Sequence, residues 1–176
     1  MHKSPSGPWG RLFLALILIL CLAIPLPVKA ATPELSVPAS CGVVLMEAST
    51  GQTLRDRNGE EKMDPYGSLN LLIALTACRY ASLEDRVTVP ADTGDAVPDE
   101  AYVIYLEEGE ELTVKDCVGA ILFNSANDAA YTLAVSLAGS VEAYAQWMNE
   151  TAAECGAQNS HFVSGKINGK LPFFLI

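Results

Sequence analysis

Between Thr113 and Gly156 the chain carries three apolar runs of helical length, separated only by Asn124–Asn127 and Gly139–Ser140. Runs this long with breaks this short must fold back on one another, because each has an apolar face to remove from water. Thr113-Val114-Lys115-Asp116 opens the first run: the Thr113 hydroxyl can cap free amides, and Asp116 stands at the third helical position. Val118, Ile121 and Leu122 mark its apolar face, up to Phe123. The second run extends from about Asp128 to Ala138. The third goes from Val141 to Cys155 and is stopped by Gly156.

Upstream, the pattern changes period. Cys41 to Glu47 (CGVVLME) reads as a buried strand, Ala48-Ser49-Thr50-Gly51 has turn chemistry, and Gln52 to Arg55 returns as the second strand of a hairpin. Asp56 to Asp64 is polar loop, and a helix is predicted from about Ser68 to Ala81. Arg86 to Val89 is a short strand closed by Pro90. Thr93 to Glu100 reads as a loop, Tyr102 to Leu106 as a strand, and Glu107 to Glu111 as a solvated acidic bend. Hairpin, helix, short strands and then three helices make an α+β order.

The first thirty residues stand apart. Lys3 and Arg11 form a basic start, Leu12 to Ile24 is unbroken apolar sequence, and Val28-Lys29-Ala30 offers a small-residue cleavage site. The apolar run is shorter than the roughly 20 residues a membrane span requires, and Pro25 and Pro27 close it. The expected organisation is therefore a signal peptide over 1–30, an extended lead-in over 31–40, a domain over 41–163 and a divergent tail over 164–176. Export to an extracytoplasmic location follows. Residues 31–176 suffice for one domain with a real core.

Charge and cysteines narrow the functional classes. The net charge of −10 becomes more negative still without Lys3, Arg11 and Lys29, and such a surface repels nucleic acid. Cys41, Cys78, Cys117 and Cys155 permit two disulfides in three connectivities, but each sits among apolar neighbours, and buried free thiols are the expectation. His2 and His161 are the only histidines and no Cys-x-x-Cys occurs, so no metal site is expected.

Two segments carry the candidate chemistry. Asp64 to Leu75, DPYGSLNLLIAL, resembles the D-P-A-S-x-T-K-x-x-T-A-L stretch of the serine-type D-alanyl-D-alanine carboxypeptidases, the low-molecular-mass penicillin-binding proteins of the peptidase S11 family. Phe123 to Ala130, FNSANDAA, resembles that family's Ser-x-Asn motif with its following Asp-Ala-Ala. By itself, Ser-Ala-Asn would read as a turn capping the next helix. It is accompanied by EASTGQTL, LEDRVTV, GEELTVKDCVGAILFNSANDAA, AGSVEAYAQWMNETAAECG and NSHFV at family-like spacing from about Val43 to Val163.

The resemblance implies an incomplete β-lactamase/transpeptidase-like domain, with an N-terminal hairpin and a helical region. It also implies hydrolysis of the terminal D-alanine of peptidoglycan stem peptides through an acyl-enzyme, β-lactams as mimics, and no cofactor. Laid on this chain, the nucleophile position is Gly67 and the lysine position, which activates it, is Asn70. Ser125 and Asn127 fill the second motif. Glycine has no side chain and an amide does not take a proton near neutral pH, so the chain as written is expected to be inactive. Ser68 is no substitute, since one residue turns it about 100° around the helix and its i+3 neighbour is Leu71.

The family's third motif, Lys-Thr-Gly or Lys-Ser-Gly, is not found. After Val163 the family continues N-P-x-G-L, whereas this sequence reads SGKINGKLPFFLI, and neither Gly165-Lys166-Ile167 nor Gly169-Lys170-Leu171 replaces the motif. Alternatives are a non-catalytic cell-wall-binding or sensing module, a truncated gene product without function, and a class A β-lactamase relative. The last fits less well with the Ser-Ala-Asn-Asp-Ala-Ala run and the T-G-x-x-L hairpin.

Overall fold

The computed structural model describes residues 36–164, with Trp9 outside that span. The predicted signal peptide, the start of the lead-in and all of the predicted tail except Ser164 lie outside the described residues. Two compact units, residues 1–59 and 60–176, are each described by itself.

In the first unit, β1 (Val43–Met46) pairs antiparallel with β2 (Thr53–Arg57). The register slips between Leu45 and Met46, and Gly51 takes a positive φ of 71° in the connecting turn. Glu47 fastens that turn. Its carboxylate accepts from the Thr50 hydroxyl and amide, both at 2.7 Å, and from the Ser49 hydroxyl at 2.7 Å. These bonds, led by the Thr50 hydroxyl, hold its pKa at about 2. The hairpin is where sequence placed it, but β1 is not the buried strand expected: Val44, Leu45 and Met46 are all more than half exposed.

The second unit holds a helical core. A 3₁₀ turn (Tyr66–Ser68) leads into α1 (Leu69–Tyr80), followed by β3 (Arg86–Thr88), the single-turn α2 (Thr93–Ala96) and β4 (Glu111–Thr113). Then come α3 (Val114–Asn124), α4 (Asn127–Ala138) and α5 (Val141–Glu154). The capping box forms as predicted: the Asp116 amide donates to the Thr113 hydroxyl at 3.1 Å, and the Asp116 carboxylate accepts from the Thr113 amide. Ser140 caps α5 through the Ala143 amide, and Gly139 ends α4 with a φ of 83°. Ile73, Ile121, Leu133, Tyr144 and Met148 meet in the core, and the Tyr144 hydroxyl donates to the Ile73 carbonyl at 2.8 Å. That bond ties α5 to the helix bearing Asn70.

Several expectations are corrected here. Glu111–Thr113 is not the end of a bend but a strand, pairing Val87 with Leu112 across the sheet. Tyr102–Leu106 has no ladder partner among the described residues, and its Ile104 and Leu106 amides are taken by a side chain. The expected loop after Pro90 closes into α2, with the Thr93 hydroxyl donating to the Pro90 carbonyl at 2.7 Å. On α3 the buried stripe is Val114, Cys117 and Ile121, while Leu122 is exposed. Cysteine burial holds for Cys117 alone, whose thiol burial pushes up to about 12; Cys41, Cys78 and Cys155 are exposed.

Candidate active site

The site is built from the start of α1 and the turn between α3 and α4. Asn70 lies in the first turn of α1, half-buried, and its side-chain amide donates to the Ser125 hydroxyl oxygen at 3.0 Å. These residues are 55 apart in sequence. Ser125 can receive that bond because its backbone is left-handed, φ 54° and ψ 35°, an uncommon conformation for a residue with a Cβ. The turn is held by the Ser125 amide bonding to the Ile121 carbonyl at 3.0 Å and the Ala126 amide to the Ala120 carbonyl at 3.3 Å. Ala126, 1% exposed, anchors the turn in the core.

Asn127 faces the other way around the same turn. Its backbone amide donates to the Tyr102 carbonyl at 2.8 Å, and its side-chain amide donates to that carbonyl at 3.0 Å and to the Ser125 carbonyl at 3.1 Å. Asp128 continues the hold. Only 3% exposed, its carboxylate accepts from the amides of Ile104, at 3.1 Å, and Leu106, at 3.0 Å. Residues 102–106 therefore form a strap suspended from the second motif rather than a strand.

Gly67 occupies the 3₁₀ turn, exposed, and a Cβ built there would meet no atom within 4 Å. Ser68 is also exposed; its hydroxyl donates back to the Pro65 carbonyl at 2.6 Å. It makes no side-chain cap for α1. Thus Asn70, Ser125 and Asn127 come together, Gly67 contributes no side chain, and Ser68 is engaged locally.

Chemically, the side chains of Asn70, Ser125 and Asn127 donate and accept hydrogen bonds, and none of the three takes up a proton near neutral pH. The Ser125 oxygen receives the Asn70 amide, which leaves the serine proton available to a ligand. The residue that sequence reasoning passed over is Asp128, seen there only as part of a motif in register. Its signal was present: a carboxylate opening the apolar run Ala129 to Ala134 cannot be buried without partners.

The comparisons with known proteins fit this geometry. A family description for D-alanyl-D-alanine carboxypeptidases, peptidase S11, matches residues 28–166. D-alanyl-D-alanine carboxypeptidase DacF of Bacillus subtilis is 31% identical over 136 residues, covering 74% of this chain and 34% of the relative. DacC of Escherichia coli is 32% identical over 128 residues, covering 68% of this chain and 32% of the relative. Among solved structures, penicillin-binding protein 6B of Escherichia coli superposes with a TM-score of 0.68 at 25% identity, over 85% of this chain and 48% of its own. Penicillin-binding protein D2 of Listeria monocytogenes, solved with ampicillin bound, shares the fold with a TM-score of 0.60 at 23% identity, over 80% of this chain and 57% of its own.

Fold and site together define an α+β, penicillin-binding-protein-like domain, present here in part. The chain belongs to the D-alanyl-D-alanine carboxypeptidase family, peptidase S11. It spans about a third of the length of the curated relatives it matches.

Proposed function

We propose that this chain is an exported member of the carboxypeptidase family that no longer forms an acyl-enzyme. The observation that carries the reading is the Asn70 amide donating to the Ser125 hydroxyl at 3.0 Å beside a residue 67 without a side chain. Acyl transfer requires a nucleophile and a proton acceptor within hydrogen-bond reach of it. Here the nucleophile position is empty of reactive atoms, and an amide donor stands where the resemblance implies lysine. Peptidoglycan stem peptides ending in D-alanyl-D-alanine, and β-lactams, are the ligands the family membership suggests. Export rests on the basic, apolar and small-residue order of residues 1–30.

The test is incubation of the purified protein with a fluorescent penicillin, followed by denaturing electrophoresis. No covalent band is expected; a band mapping to any residue, Ser68 included, would overturn the reading.

A second reading, a non-catalytic cell-wall-binding module, is favoured by the contact of Asn70 with Ser125 and by the fixing of Asn127 on the Tyr102 carbonyl. These groups can still hydrogen-bond a peptide. A cooperative melt displaced upward by a muropeptide ending in D-alanyl-D-alanine supports this second reading, and a melt unmoved by it counts against it.

A further inference from the structure

We draw no further inference here: the strongest candidate, the apolar groove of about 320 Å³ on the flank of α1 that Leu71, Leu75, Ala152 and Phe162 line, is an unpartnered face, and nothing in the structure shows what covers it.

Discussion

The two candidate motifs of this cleft are built in different ways. At the start of α1, Gly67 and Asn70 have none of the reactive groups the family resemblance implies. At the turn between α3 and α4, Ser125, Asn127 and Asp128 keep theirs. The difference follows from what each residue does for the fold. Asn127 and Asp128 hold the strap through the Tyr102 carbonyl and the Ile104 and Leu106 amides, so changing them unfastens structure. A Cβ at position 67 would meet nothing within 4 Å, so the fold makes no packing demand on a side chain there.

The strongest test of that contrast is Asp128→Asn. The amide keeps one oxygen and turns an NH₂ toward the backbone amide, Leu106 or Ala129, from which the other oxygen had accepted, in a site that is 3% exposed. A buried donor left unpaired costs about 1–3 kcal/mol, more when the lost partner was charged. A loss of about 3 kcal/mol in urea unfolding is expected, together with faster amide exchange at Ile104 and Leu106. Unchanged stability and exchange would show that the strap holds itself, and the contrast between motifs would then need another cause.

Much of this arrangement was legible before any coordinates, and the rest was hidden for physical reasons. The three helices after Thr113 were readable because their ends are written locally, in the capping box at Thr113 and Asp116 and in the breaks at Gly139-Ser140 and Gly156. The hairpin was readable from its turn. The pairing of Arg86–Thr88 with Glu111–Thr113 was not, since three-residue strands give almost no periodicity and their partners lie about 25 residues apart. The strap was mistaken for a strand because an extended backbone has the same alternation whether a neighbouring strand or the Asp128 carboxylate takes its amides. In the candidate site, motif spacing singled out Asn70, Ser125 and Asn127, which are joined by hydrogen bonds in the structure. It could not show that Asn70 bonds Ser125 or that Asp128 carries the strap.

A smaller effect is expected where the motifs meet. Asn70→Ala and Ser125→Ala each remove one end of a 3.0 Å bond between half-buried side chains. Each is expected to cost about 1 kcal/mol, the usual net value of such a bond. The double variant should lose less than the sum, with a coupling of about 0.5–1 kcal/mol. Strict additivity would mean that the two motifs are neighbours without being energetically joined. Then Asn70 would be as idle as Gly67, and the division would run between the motifs without overlap.

The smallest expected effect is at position 67, and it bears most directly on whether the turn requires glycine there. Glycine is often retained where the backbone needs a positive φ or where another group packs too closely for a Cβ. Neither holds here: Gly67 lies outside the left-handed region and its Cβ position faces open space. Gly67→Ser is therefore expected to change stability by no more than about 0.5 kcal/mol. The direction is slightly stabilising, because a side chain restricts the unfolded backbone more than the folded one. Equilibrium urea unfolding of the two proteins measures this. A loss above about 1 kcal/mol would mean that the surrounding turn has come to require glycine, so that the cleft has been rebuilt around its absence. No loss would mean that the fold is indifferent to the residue at this position.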